Sequence, residues 1–297
     1  MKELDGSPKV AVTVAEKRQQ TIKMDPKSLI ILLIALMQSP TSFAEKLGVI
    51  SIVLDDMGYN LNDFQALSLP KEITFSILPY TPQAKQLAEK AHQQGRKILL
   101  HVPMQAKTDN QKLGKGALML DMTEQEFKAK LRQSLHSLPS AQGINNHMGS
   151  VLTEHITPMR WTMDILKKQG LYFLDSRTTP QTVAESTAKI SGIPALRRHI
   201  FLDNIKTELA MEEQLQEAIK LSRHTKAVVI IAHPYPETIR FLQQKFKQPT
   251  TAFKLIALNQ LIPEAQRLAM AEKKFEFQHA NNLTASKASL QIQYKEP

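Results

Sequence analysis

A chain of 297 residues with 42% hydrophobic and 22% charged side chains has globular composition, which excludes a collagen-like, coiled-coil or wholly disordered chain. It has no cysteine, so disulfide scaffolds, thiolate-ligated metals and cysteine nucleophiles are excluded, and any chemistry falls to His, Asp, Glu, Ser, Lys or Arg. The net charge of +10 is spread along the chain, and with 6% aromatics and no basic stripe it argues against a nucleic-acid partner while suiting weak attraction to anionic polymers.

From the N-terminus, the first marked feature is Leu29–Met37, LIILLIALM, behind Lys27 and ahead of Ser42-Phe43-Ala44. A basic flank, a short apolar run and small residues before a cut make an export signal, with cleavage expected after Ala44. Nine apolar residues are half of the roughly 20 that span a bilayer, so no transmembrane anchor is expected to remain. Met24 heads a normal signal of its own, which makes it a candidate start. Residues 1–44 are therefore assigned to an upstream segment and signal peptide, and the protein to the periplasm or to secretion.

Over 45–262 short apolar runs alternate with helix-period segments, the pattern of βα units around a parallel sheet. The strand candidates are 49–54, 73–78, 97–102, 143–146, 171–174, 199–202, 227–232 and 254–258. Thr81-Pro82, Thr157-Pro158 and Thr179-Pro180 each read as an N-cap followed by proline at the first helical position. Thr123 to Glu126 is a capping box, and Gly95 and Gly170 sit where helices should end before the next strand. The polar, glycine-containing stretch 105–121 is expected to loop over one end of the sheet. Residues 263–297 carry scattered apolar positions and a polar end, expected as a frayed helix and then a disordered tail.

The polar residues that could do chemistry fall at the C-terminal ends of these strands: Asp55 and Asp56, then His101, then Asn145, Asn146 and His147. Asp175, Ser176 and Arg177 follow, and Asp203 and His233 close the series. In parallel α/β folds active sites assemble at that end. Asp175 and Asp203 also fit as caps of the following helices. Two adjacent carboxylates at a strand end repel unless a cation joins them, so Asp55-Asp56 asks for a metal, with His101 and His147 as neutral nitrogen ligands. Asp175 and Arg177, two apart, should face the same way if their strand stays extended. A glycosidase reading fits poorly, because paired glycosidase carboxylates stand about 5–9.5 Å apart across a sugar.

The strings VLDDMG, HVPM, GINNHMGS, FLDSRT, FLDN and AHPYPET, in this order, resemble the divergent polysaccharide deacetylase family, relatives of NodB-type carbohydrate esterases. The resemblance implies a distorted (β/α) barrel of seven or eight parallel strands with a divalent metal, usually zinc, in its mouth. It implies Asp55 as catalytic base, Asp56 as metal ligand and His233 as catalytic acid. Asn145, Asn146, Asp175, Arg177 and Asp203 become substrate-binding or supporting residues. The sequence departs from the family's His-Ser-x-x-His stretch after His101, where His147 is the replacement ligand. Arg197-Arg198-His199 also stand where an acidic residue is expected. Two functions stay open: a metal-dependent hydrolase that removes an acyl group from an amino sugar of an envelope glycan, and a non-catalytic glycan- or envelope-protein-binding module on the same barrel.

Overall fold

The eight expected strands are all present, and a ninth, very short, joins them. The computed structural model describes residues 47–293, with side chains to residue 280, so the signal at 29–37 and its cut after Ala44 lie outside the described residues. The strands are β1 (Gly48–Met57), β2 (Thr74–Ile77), β3 (Ile98–Met104), β4 (Gly143–Met148), β5 (Tyr172–Asp175), β6 (Ala195–Arg197), β7 (Ile200–Phe201), β8 (Val228–Ala232) and β9 (Phe253–Leu255). Every pairing is parallel, in the order β6-β5-β4-β3-β2-β1-β8-β7, with β9 against the start of β1. The returning helices are α1 (Ala84–Gln93), α2 (Glu124–Ser137), α3 (Ile156–Gln169), α4 (Ala184–Ile190), α5 (Glu208–His224) and α6 (Pro236–Lys245).

The two edges of the curled sheet are joined by the chain itself. β6 and β7 are the two outer strands of the sheet, yet only Arg198 and His199 separate them in the chain. One segment therefore serves both edges. Its first half lies along β5, where the Arg198 N–H donates to Asp175 O at 2.9 Å, and its second along β8, where the His199 N–H donates to Val229 O at 2.9 Å. This is the distorted barrel that the family resemblance implies.

Alternation along the strands divides the core in two. Ile50, Ile52, Leu54, Phe75, Ile77, Leu100, Phe173 and Ile230 pack outward under the helices. Val53, Leu99, Tyr172, Leu174, Val229 and Ile231 fill the interior, plugged by Leu258 and Ile262. Each fully buried aliphatic or aromatic side chain contributes about 1.5–3 kcal/mol, so this interior is a packed core and not a pore. Gly143 makes room for one of its members: a Cβ there would lie 2.6 Å from Tyr172 O and 2.9 Å from its Cγ. Gly143→Ala should lower stability by about 1–3 kcal/mol, read as a lower urea midpoint with an unchanged slope.

The helix starts correct one expectation. None of the three Thr-Pro pairs caps a helix: α1 begins at Ala84, where Thr81 Oγ1 has turned back to donate to Leu78 O at 3.0 Å. α3 begins at Ile156, so Pro158 falls inside its first turn, and Thr179-Pro180 lies in a turn ahead of α4. Proline's fixed φ suits a turn as well as a first helical residue, and the Thr81 and Thr179 hydroxyls donate to oxygen acceptors, Thr179 to Glu154 Oε1 at 2.7 Å. The Thr123 box does form, with Thr123 N–H donating to Glu126 Oε2 at 2.9 Å, and Gly170 closes α3 at φ 63°. Where a frayed helix is expected, the chain forms α7 (Glu264–Gln293), and the end of the expected tail, 294–297, lies outside the described residues. No glycine or proline interrupts 264–293, and its Ala, Glu, Lys, Gln and Leu residues are strong helix formers. Among the described residues no helix is long and apolar enough to cross a membrane.

Candidate active site

The mouth of the barrel is organised by a break in β1. Neighbours in an unbroken strand point to opposite faces, but the register against β2 shifts between Leu54 and Met57, and Asp56 takes φ 58°. That left-handed turn brings both carboxylates to the mouth, a conformation costing about 1–2 kcal/mol that Asp tolerates better than most residues. Buried Asp63 secures the turn: its Oδ2 accepts the Gly58 N–H at 2.7 Å and the Asn60 N–H at 3.3 Å. Sequence reasoning passed over Asp63, for which the Asn60-x-x-Asp63 spacing was the available signal.

Asp56 Oδ1 lies 3.0 Å from His101 Nε2 and 2.7 Å from His147 Nδ1. The three side chains can each turn one ligand atom to within 4.8 Å of the others. Burial would raise the Asp56 carboxyl, but the hydrogen bonds and charges of the two histidines hold it well below the usual carboxylate range.

Asn145 explains how this cluster is oriented. Paired opposite His101 in the β3–β4 register, it sits fully buried beneath the mouth. Its Nδ2 donates to Asp55 Oδ1 and Oδ2 at 2.9 and 3.0 Å and to Ser176 Oγ at 3.1 Å. Its Oδ1 accepts from Ser76 Oγ at 2.5 Å and faces His101 Nδ1 at 3.0 Å. Because the Asp55 carboxylate only accepts, the amide orientation is assigned, and the proton of a neutral His101 belongs on Nδ1. His101 Nε2 then turns a lone pair toward Asp56 Oδ1, and two acceptors 3.0 Å apart require a proton or a metal ion to join them. One carboxylate and two imidazoles fit a zinc-type ion. Asn145→Leu should cost about 1.5–3 kcal/mol in urea unfolding of metal-free protein, since it strips a buried carboxylate of its donors.

Burial pushes the Asp55 carboxyl up, against the pull of His101 and His233. His233 hangs on the opposite partner. Its Nδ1 is 2.9 Å from Asp203 Oδ1, while Asp203 Oδ2 accepts the His233 N–H at 2.7 Å and Thr238 Oγ1 at 2.8 Å. Burial would lower the imidazole, but the hydrogen bond and charge of Asp203, with Asp56 and Asp55 behind it, push it up to about 9. Asp203 is thus no helix cap; Thr207 caps α5. Thr238 and Ser76 are supports that sequence reasoning did not single out.

The remaining candidates stand beside the mouth. Asn146 faces away from Asn145, accepting the Ser176 N–H at 2.9 Å and donating to Met148 O at 2.7 Å, which ties β4 to the loop after β5. Asp175 accepts from Arg177 N–H, Thr182 Oγ1 and Glu185 N–H at 2.8, 2.9 and 3.3 Å, so it braces its loop and the start of α4. The expectation that Asp175 and Arg177 face alike fails, because β5 ends at Asp175 and Arg177 turns at φ 49°.

The family model for divergent polysaccharide deacetylases matches residues 52–262. The chain is 37% identical over 220 residues to the uncharacterized protein YibQ of Escherichia coli K12, covering 74% of this chain and 69% of that one. It is 35% identical over 241 residues to an uncharacterized protein of Haemophilus influenzae Rd, covering 81% and 85%. The solved structure of the uncharacterized protein ATU2773 from Agrobacterium tumefaciens C58 shares the fold, with a TM-score of 0.67 at 19% identity over 75% of this chain and 92% of that one. A match that runs from the strand carrying Asp55 and Asp56 to the plug at Ile262, with relatives above 30% identity, means that this chain belongs to the divergent polysaccharide deacetylase family.

Proposed function

We propose that this protein is an exported, metal-dependent hydrolase that removes an acyl group from an amino sugar of a cell-envelope glycan. The observation that carries this reading is the convergence of Asp56, His101 and His147, with Asp55 Oδ2 3.7 Å from His101 Nε2 and His233 Nε2 3.9 Å from Asp56 Oδ2. Asp56, His101 and His147 would hold a divalent ion, zinc by the nature of the ligands, which would supply Lewis acidity to the amide carbonyl and lower the pKa of water. Asp55, with both oxygens fixed by Asn145, takes the proton of the attacking water. His233, kept protonated and aimed by Asp203, gives a proton to the departing amine as the C–N bond breaks. The products are the free amino sugar and the carboxylic acid, which gives its proton to solvent, and passage of the proton held on Asp55 back to His233 restores both groups.

Export rests on the basic flank, apolar run and small residues around 27–44. The diffuse positive charge suits an anionic envelope polymer as surroundings. The test is acetate release from chitooligosaccharide or peptidoglycan fragments. Release that disappears on chelation and returns with zinc supports the hydrolase; glycan binding with no release at any metal load would establish the non-catalytic module instead.

A further inference from the structure

Arg197-Arg198-His199 is the part of the chain that the proposed chemistry leaves unused, and it lies where the barrel closes. His199 replaces a backbone acceptor there: its Nδ1 accepts the Val229 N–H at 3.0 Å, and burial pushes the imidazole down, in keeping with an unprotonated Nδ1. Arg198 does something different. Its Nε donates to Ser176 O at 2.6 Å and its Nη2 to Arg177 O at 2.7 Å, and its guanidinium lies 3.7 Å over the Phe201 ring. Phe201 in turn stacks on His233, with ring centroids 6.1 Å apart and planes 24° from parallel.

We propose that Arg198 is a positioning residue that sets His233 through Phe201 and sets Asp55 through the Ser176 loop. The inference rests on the hydrolase reading for its kinetic consequence but on geometry for its substance. On one side, the flat guanidinium holds Phe201, and Phe201 forms a wall against the His233 ring that Asp203 grips only at its edge. On the other side, the carbonyl of Ser176 is anchored to Arg198 while its hydroxyl accepts from the same Asn145 amide that fixes Asp55. One side chain thereby gives the acid and the base a common reference across the seam between β6 and β7. Arginine is required because a single planar fork must meet two carbonyls from two nitrogens and stack on a ring at once; lysine carries its donors on one nitrogen and has no flat face. The partners are neutral, so methionine should fill the space without leaving a buried charge unpaired.

The test uses Arg198→Met, Arg198→Lys, Phe201→Leu and Phe201→Tyr in the zinc-loaded protein, assayed by acetate release from chitooligosaccharide. Arg198→Met and Phe201→Leu should each lower kcat by about tenfold or more, with KM and zinc content unchanged, since small displacements of an acid or base are expensive. Arg198→Lys should not rescue, whereas Phe201→Tyr, which keeps the ring, should. A kcat within twofold of wild type in both Arg198→Met and Phe201→Leu would overturn the inference. If wild-type protein releases no acetate, the hydrolase reading fails, and crystal structures of Arg198→Met and Phe201→Leu decide the positioning role separately. A His233 ring turned away from Asp203 in either supports it, and a ring kept within about 0.5 Å of its wild-type place in both overturns it.

Discussion

Asp55→Asn is expected to keep about one divalent ion per chain while lowering acetate release by about 10²–10⁴-fold, the range removed with a general base. Asparagine matches the carboxylate in size but has no basic oxygen to take a proton from water. It also keeps an acceptor for one of the two contacts that Asn145 makes at this position, so the fold and the placement of His101 should survive. Metal should stay because Asp56, not Asp55, lies 3.0 and 2.7 Å from the two histidine nitrogens. Metal analysis beside the acetate assay checks both halves. Loss of the ion in Asp55→Asn with retention in Asp56→Asn would exchange the roles of the two aspartates.

His147→Ala should lower zinc affinity by about a hundredfold or more, above the 10–100-fold typical of residues that only support a ligand, as followed by competition with a chromogenic chelator. His147 is the informative position because it stands on β4, well away in sequence from His101, and is half-buried, so its removal disturbs little packing. His101→Ala should lose metal as well, but His101 is buried and faces Asn145, and its loss should also lower stability. If His147→Ala bound zinc as tightly as wild type, the site would have to be rebuilt around Asp56 and His101 alone.

Most of the barrel is legible in the sequence because parallel strands covered on both faces read as apolar runs, and the polar residues that interrupt them at one end are conspicuous. β6 is not legible: Ala195–Arg197 is three residues long, half-buried to exposed, and has no apolar run to announce it. At the mouth, alternation alone separates Asn145 from Asn146, since the first shares a face with His147 and the second points away. The turn at Asp56 could not be read, because it depends on a register break against β2 and on a carboxylate seven residues further along. The bracing role of Asp175 was equally hidden, because its partners Thr182 and Glu185 are set by the path of a loop. The Thr-Pro pairs misled because the same dipeptide serves turns and helix starts. The length of α7 rests on intrinsic helix propensity, which a broken apolar pattern does not reveal.

The central place of β1 has a consequence for how the molecule reaches its folded state. β1 pairs with β2, with β8 and with β9, so this strand, the first among the described residues, meets two of its partners only after nearly two hundred further residues have joined the chain. Such long loop closures are slow, because chain entropy is lost before contacts repay it. Until then Ile50, Ile52 and Leu54 sit on an open strand edge of the kind that recruits other chains. Shortened versions ending before β8 should therefore aggregate rather than yield a smaller domain.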